Sequence, residues 1–296
     1  MPKRSTRFQS LSDADLLDLL YTSGDELPRQ AVHEFLRRGR RMIPALHAIV
    51  ADKTSWTQPL PEWWAAVHAA YILGAMEDPS TLPSLLIALR WSDAFDCDWI
   101  TEDLPSMFGR LGRVAYDPLR AVAADATAGW GARSIALLGM AAIGLNAQYL
   151  MSDTLTLAAE FLGNRDEELY LRQTAANILL DFQSHAHSEL LRSFGKEESE
   201  RKAEDPEYKG VYYDWELDEL LAEGESTEDI EYYRRDWLVF YEPEETAQRQ
   251  ERWRREQEEA ALQVPEEESA PRRDITAPCP CGSGKPFDRC CYLKVH

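Results

Sequence analysis

Apolar residues recur at helical spacing in five stretches of the first two-thirds of the chain. They stand at positions i, i+3, i+4 and i+7 in AVHEFLRRG, AAVHAAYILGAM, LPSMFGRLG, SIALLGMAAIGL and QTAANILLDF. This spacing places the apolar side chains on one face of an α-helix. Phe35, Leu73, Leu111, Ile143 and Leu179 take equivalent places, at intervals of 38, 38, 32 and 36 residues. The pattern therefore predicts a repeated helical unit.

A second helix is predicted to follow each of these first helices. Its first turn is marked, 35 to 39 residues apart, by Pro44, Pro83, Pro118, Asp153 and Ser188. Proline, aspartate and serine suit a first turn because an N–H group is spare there or needs a capping side chain. Small residues on the first helices would let paired helices approach closely. They are Ala69, Ala70, Ala141, Ala142, Ala175 and Ala176.

The helix–turn–helix unit resembles the HEAT repeat, an α-solenoid family, over roughly residues 28–193. The resemblance implies an all-α fold with a HEAT-like helical-repeat solenoid over residues 1–195. Ser12, Asp15 and Gly24 predict a capping helix before the repeats, since they match an N-cap, its capping-box partner and a helix stop. The alternative is a non-repetitive helical bundle, which is also all-α.

The composition changes after Gly195, where the chain becomes acidic. The net charge of the protein is −20, and residues 196–270 carry 26 acidic against 10 basic side chains. Residues 196–263 are predicted to form an acidic, aromatic-rich helical cap and a charged helix. The aromatic residues favour packing on the last repeat, because disordered acidic tails lack them. The alternative is a partner-binding motif exposed to solvent.

The charged helix, EETAQRQERWRREQEEAALQ, has little apolar face, which is typical of a solvent-bridging helix. Residues 264–277 are rich in proline, serine and charge and predict a flexible linker. Beyond it, residues 278–296 form a separate module, predicted to be tethered to the body by the linker.

Four of the five cysteines lie in this last module, in CPCGSGKPFDRCC. Cys279 and Cys281 are separated from the adjacent Cys290 and Cys291 by a short loop. Disulfides are the weaker interpretation, because the chain shows no secretory signal and cytosolic thiols stay reduced. Four thiolates suit a closed, tetrahedral and structural Zn²⁺ site, with iron as the alternative metal. His296 is a weaker substitute ligand.

The spacing Cys-x-Cys-Gly-Ser-Gly-Lys-x-Phe-x-x-Cys-Cys resembles the SEC-C motif. This motif is known from the C-terminal tail of the bacterial translocation motor SecA, where it binds zinc and docks the chaperone SecB. The resemblance implies that Cys279, Cys281, Cys290 and Cys291 are the zinc ligands. Pro286 and Asp288 depart from the lysine-rich family loop. The chain is not SecA itself, because it has no nucleotide-binding loop and no helicase-like core.

Little in the sequence predicts catalysis. His185 and His187 lie two positions apart and would face apart on a helix, so they are expected in the turn before Ser188. His33, His47 and His68 lie on predicted repeat helices. The lone Cys97 is expected to be a small apolar residue on a helix.

The sequence therefore favours a non-enzymatic, bacterial protein–protein interaction adaptor, linked to a chaperone or to translocation. A SecB-like chaperone and the ribosome are the candidate partners. The acidic charge argues against direct nucleic-acid binding. No membrane span or signal is expected, which predicts a cytoplasmic protein. The alternative function is an enzyme or lyase-like accessory protein with a small-molecule site in the solenoid concavity. A further alternative makes the zinc module a stability element.

Overall fold

The structure, a computed structural model, describes residues 7–222 and 227–262, and every regular element within those ranges is a helix. The predicted all-α class is confirmed for this part of the chain. The predicted linker and zinc module, residues 264–296, lie outside it. None of the helices in the described ranges is long and apolar enough to cross a membrane.

The α-helices follow one another along the chain with short connections. They are α1 (Asp13–Thr22), α2 (Arg29–Arg38), α3 (Ile43–Ala51), α4 (Trp64–Ala75), α5 (Leu82–Ala94), α6 (Asp98–Thr101), α7 (Leu104–Leu111), α8 (Arg113–Ala124), α9 (Trp130–Gly144), α10 (Gln148–Gly163), α11 (Leu169–Asp181), α12 (Ser188–Glu204), α13 (Leu217–Ala222), α14 (Thr227–Tyr232) and α15 (Pro243–Leu262). The 3₁₀ helices are Arg7–Ser10, Gly39–Met42, Lys53–Trp56, Pro79–Thr81, His185–His187 and Trp237–Tyr241.

The chain folds into two compact units. The first unit contains the described residues up to Trp91 together with the segment from Asp236 to Leu262. The second unit runs from Ser92 to Arg235. The first unit begins with the predicted capping helix, since the Ser12 side chain accepts a hydrogen bond from the backbone N–H of Asp15 and the Asp15 carboxylate accepts one from the N–H of Ser12.

The paired-helix pattern predicts the helices correctly, but it is wrong about two of the five residues predicted to lie in a first helical turn. Pro44, Pro83 and Ser188 lie in the first turn of a helix, as predicted. Pro118 and Asp153 do not, because α8 begins at Arg113 and α10 at Gln148. Each of these two helices starts about a turn earlier than predicted.

A glycine explains the early start of α8. Gly112, at φ +74°, lies between the last residue of α7 and the first residue of α8. Glycine adopts positive φ readily, so the chain can reverse there without a longer loop. Pro118 therefore lies inside α8 rather than in its first turn, at a position where proline removes one backbone hydrogen bond.

Small residues lie at the contacts between helices, as predicted. Ala69, Ala70, Ala141, Ala142, Ala175 and Ala176 are all buried. Helices α7 and α9 approach closely at Gly109 on α7, where an added Cβ would lie 3.0 Å from the Cβ of Ala142 on α9. A side chain at position 109 would press on Ala142 and require a small shift between these two helices.

Two buried arginines of the second unit make the same set of contacts. Arg133 on α9 donates through Nε to the backbone carbonyl of Ala123, 2.9 Å away, and pairs with Glu167 at 2.6 Å. Arg172 on α11 donates through Nε to the carbonyl of Leu162 at 3.1 Å and pairs with Glu197 at 2.9 Å. Each guanidinium also lies over a ring, that of Phe161 or Phe194.

These arginines join neighbouring helices. The carbonyls that they bind lie in the last turns of α8 and α10, where helix carbonyls lack intrahelical partners and the helix dipole favours a cation. The two contact sets lie 39 residues apart, from Arg133 to Arg172. The second unit therefore repeats a packing arrangement as well as a hydrophobic pattern.

The aromatic residues after Gly195 pack on two different parts of the chain. Tyr212 donates to the carbonyl of Leu191 on α12, 2.6 Å away, as expected for a cap on the last predicted repeat. Further on, the indole N–H of Trp237 donates to the carbonyl of Tyr71 on α4, 3.0 Å away. The expectation that these aromatic residues pack on the last repeat was therefore wrong for Trp237.

The charged helix α15 is anchored in the first unit by a buried arginine. Arg249 is 0% exposed, and its Nε donates to the Asp25 carboxylate at 3.0 Å. Its other nitrogens donate to the carbonyls of Asp25 and Phe240, and its guanidinium carbon lies 3.8 Å from the centre of the Phe240 ring. The expectation of a purely solvent-bridging helix was wrong at this position.

Replacing Arg249 with alanine should lower the free energy of unfolding by about 3–5 kcal/mol, because it leaves the buried Asp25 carboxylate without its cation. The measurement is urea denaturation of the purified full-length protein. Arg252→Ala is the matched control on the same helix, since the Arg252 side chain is 54% exposed. Equal stability of the two variants would contradict the anchoring role of Arg249.

Candidate functional site

The predicted metal ligands lie outside the described residues. Cys279, Cys281, Cys290 and Cys291 all fall within residues 263–296, for which the structure gives no description. Within the described part of the chain, no group of three or more histidine, cysteine or acidic side chains could hold a metal ion. The zinc site at the four cysteines therefore stays a prediction.

The fifth cysteine, Cys97, lies in the second unit and is buried. Burial raises the pKa of its thiol to about 12, so the reactive thiolate is scarce at neutral pH. Cys97 is thus a small apolar side chain, as predicted, but it is the residue before α6 (Asp98–Thr101) and not part of a helix, so that part of the prediction was wrong.

His68 on α4 is a fully buried titratable group of the first unit. Its Nε2 donates to the carbonyl of Gly24, 2.7 Å away, and its Nδ1 accepts from the hydroxyl of Tyr241 at 2.9 Å. Burial lowers the pKa of His68 to about 4, so the ring is neutral at pH 7. Both ring nitrogens already have partners, which leaves neither available to a metal ion or a substrate.

Two charged groups close to His68 change its pKa less than burial does. Asp25 favours the imidazolium form and Arg249 opposes it, and both are weaker than burial itself. Trp64 stacks on the His68 ring with centroids 5.9 Å apart, and Phe240 meets it edge-on at 6.2 Å. The cluster is therefore a polar core that joins α4 to the segment before α15.

The other histidines also have structural surroundings. His47 Nδ1 lies 2.9 Å from the hydroxyl of Ser84 in the first unit. His185 and His187 form the 3₁₀ turn directly before α12, as predicted, and His187 Nδ1 lies 2.8 Å from the hydroxyl of Ser184. The two hydroxyl–histidine pairs are Ser184–His187 and Ser84–His47, and neither histidine has a described carboxylate partner that would orient it as a general base.

A buried carboxylate in the second unit was not singled out from the sequence. Glu198 on α12 is 0% exposed and accepts from Gln173 Nε2 at 3.0 Å, from the Tyr208 hydroxyl at 2.8 Å and from the Val211 N–H at 3.2 Å. Its partners hold the loop that follows α12. An added Cβ at Gly210 would lie 2.6 Å from the Glu198 carboxylate, so the backbone approaches closely because this residue is glycine.

The buried histidine His68 and the buried carboxylate Glu198 are each engaged in hydrogen bonds within their own unit. Sequence reasoning missed the His68–Tyr241 and Arg249–Asp25 pairs because the partners lie 173 and 224 residues apart, with no local pattern to connect them.

Comparison with known proteins identifies the end of the chain. The SEC-C motif family matches residues 276–293. The SEC-C family is known for zinc binding, and the matched segment contains the four clustered cysteines. No curated protein and no solved structure gave a significant match. The chain therefore contains a SEC-C motif at its end, and the helical body is described by its structure alone.

Acid should destabilise the first unit through His68. The histidine pKa is about 6.5 in an unfolded chain and about 4 in the folded protein, so the unfolded chain binds an extra proton between those values. Stability that is fully present above about pH 6.5 is lost as the pH falls towards 4, by up to about 3 kcal/mol. Urea denaturation between about pH 7 and pH 5 measures this slope.

The His68→Gln variant should show a shallower slope over this range, even if it is less stable at neutral pH. His185→Gln is the matched control, because His185 is exposed, and its slope should equal that of the unmodified protein. Identical slopes in the His68→Gln variant and the unmodified protein would rule out the neutral buried histidine.

Proposed function

We propose that the chain is a cytoplasmic protein–protein interaction adaptor, in which a HEAT-like helical-repeat body carries a tethered structural zinc module. The observation that carries the proposal is the SEC-C match at residues 276–293. The motif resembles a zinc-binding tail that docks a partner protein. It follows the predicted linker of residues 264–277, which would let the module reach a partner independently of the body.

The cysteines of the motif supply a suitable donor set for zinc. Cys279, Cys281, Cys290 and Cys291 provide four soft thiolates, and four protein ligands leave no open position on a tetrahedral ion. The metal would therefore be structural, with Zn²⁺ as the expected ion and iron as the alternative. A module of this size needs the metal for folding, because it has too few apolar residues for a core.

The body supports an adaptor by its construction. Its helices pair through small buried residues and repeat the arginine arrangement of Arg133 and Arg172. Stacked helical repeats provide extended surfaces, which suit protein partners. The buried titratable groups of the described residues are engaged in packing, which also favours binding over chemistry.

The candidate partners are a SecB-like chaperone and the ribosome. In the module, Lys285, Arg289 and Lys294 outnumber the single acid Asp288, so its charge suits an acidic protein surface. The acidic body disfavours direct nucleic-acid binding, because phosphates repel it. A ribosomal contact would accordingly be made with protein.

Removing two ligands should abolish both metal binding and capture of a partner by the tail. The Cys290→Ser, Cys291→Ser double variant is expected to lose the roughly one zinc per chain that a four-thiolate site holds. Metal content is measured on the purified proteins. Binding is measured with purified SecB, with ribosomes and by affinity capture from a bacterial lysate.

Cys97→Ala is the matched control, because Cys97 lies in the body and its loss should leave the zinc content unchanged. A partner that is lost with the metal would support recognition by the tail. An unchanged set of partners would assign recognition to the helical body. If neither form captures a protein, the adaptor proposal is wrong.

A further inference from the structure

Two aromatic rings stack at the surface of the second unit, in the loop between α12 and α13. The ring centroids of Tyr213 and Trp215 are 4.7 Å apart and their planes are inclined by 18°. The Trp215 residue is 64% exposed. Stacking on Tyr213 covers one face of the indole, so most of the remaining exposure belongs to its other face and edge. An exposed apolar surface of this kind is typical of an interaction site.

Contacts with α12 and within the loop hold the Tyr213–Trp215 pair in place. The Ser199 hydroxyl donates to the Asp214 carboxylate at 2.6 Å, and the N–H of Tyr213 donates to Glu216 at 2.7 Å. Gly195 on α12 lets this loop approach closely, since an added Cβ there would lie 3.1 Å from the backbone nitrogen of Asp214. A surface fixed in this way loses little conformational freedom on binding, which favours affinity.

The charged residues around the pair are mostly acidic, although Arg192 on α12 already pairs with Asp218 at 2.6 Å. Residues 205–219, called the acidic–aromatic loop here although their last three residues begin α13, carry one basic residue, Lys209, and six acidic residues. The acidic residues are Asp205, Glu207, Asp214, Glu216, Asp218 and Glu219. Four of these acids lie within four positions of Trp215, and no basic residue does. An electron-rich indole face beside carboxylates attracts cations, and tryptophan is the strongest aromatic partner for them.

We propose that the Tyr213–Trp215 pair binds an extended, arginine- or lysine-containing segment of a partner protein. A cationic side chain lies over the free face of Trp215, and further cations of the segment pair with the exposed carboxylates of the acidic–aromatic loop. Nucleic acid is disfavoured because its phosphates meet the same carboxylates.

A second exposed aromatic pair allows the charge around the two pairs to be compared. Trp130 and Tyr170 also stack, with centroids 4.6 Å apart, and the two residues are 43% and 57% exposed. The charged residues within four positions of Trp130 or Tyr170 sum to a net charge of −1: Arg133, Asp166, Glu167, Glu168 and Arg172. Those within four positions of Tyr213 or Trp215 are four acids and Lys209, a net charge of −3. Exposed aromatic surface is therefore common to both pairs, whereas the acidic excess is larger at the Tyr213–Trp215 pair.

The inference deepens the proposed adaptor function, on which it rests, by naming a surface of the body and the chemistry of its partner. The test uses the full-length, zinc-loaded protein and a fluorescein-labelled peptide of alternating arginine and glycine. Binding is followed by fluorescence anisotropy at low and at physiological ionic strength. A second peptide carries citrulline, the uncharged isostere of arginine, at every arginine position.

The protein should bind the arginine peptide, and Trp215→Ala should weaken binding about 2–5-fold, the size of a cation–π contact with an exposed tryptophan. Trp215→Phe should give an intermediate affinity. Trp130→Ala is the matched control and should bind like the unmodified protein. Because Trp215 is largely exposed, its replacement should leave the urea midpoint unchanged. The citrulline peptide should bind weakly to every form.

No detectable binding of the arginine peptide would overturn the inference. So would equal affinities of the Trp215→Ala and Trp130→Ala variants, which would show attraction by the overall acidic charge alone. Equal binding of the citrulline peptide would exclude cation recognition. The Cys290→Ser, Cys291→Ser variant should bind the peptide normally. A different outcome is that Trp215→Ala has no effect on peptide binding while the Cys290→Ser, Cys291→Ser variant still loses a partner protein. That result would support the adaptor function and contradict the proposed binding surface at Trp215.

Discussion

The packing of the helices depends on one kind of interaction, the contacts of a buried arginine with a carboxylate and a backbone carbonyl. Arg133, Arg172 and Arg249 each meet a carboxylate, a backbone carbonyl and an aromatic ring away from solvent. A guanidinium cannot be buried unless its charge and its donors are satisfied, so each arginine fixes several segments at once. In the second unit this contact also satisfies carbonyls at helix ends, where backbone groups otherwise lack partners.

This constraint explains how so acidic a chain keeps compact units. The excess carboxylates lie mostly at the surface, and the few that are buried are paired or hydrogen-bonded. Asp25 binds Arg249 in the first unit, and Glu198 accepts three hydrogen bonds in the second. Burial has the opposite effect on His68, which is kept neutral because an imidazolium would be desolvated there. The core of each unit is thus apolar except at a few buried polar groups that have hydrogen-bond or ion-pair partners.

The packing also determines which surfaces are presented for binding. Glu198, Ser199 and Gly195 on α12 hold a loop whose Tyr213–Trp215 pair faces solvent. That surface belongs to the body and is acidic, whereas the SEC-C segment is basic. An adaptor built in this way would offer two recognition elements of opposite charge. The two proposals are independent in their chemistry, since one depends on a metal and the other on an aromatic ring.

The sequence by itself determined the local features: the helices with their 3.6-residue periodicity, the Ser12 capping box, the buried alanines and the SEC-C motif. These depend on residues a few positions apart, so the chain shows them directly. Only the tertiary structure decided that α8 and α10 begin before Pro118 and Asp153, and that Arg249 is buried against Asp25. A buried charge must find its counter-charge anywhere in the chain, and partners 224 residues apart leave no pattern in the sequence.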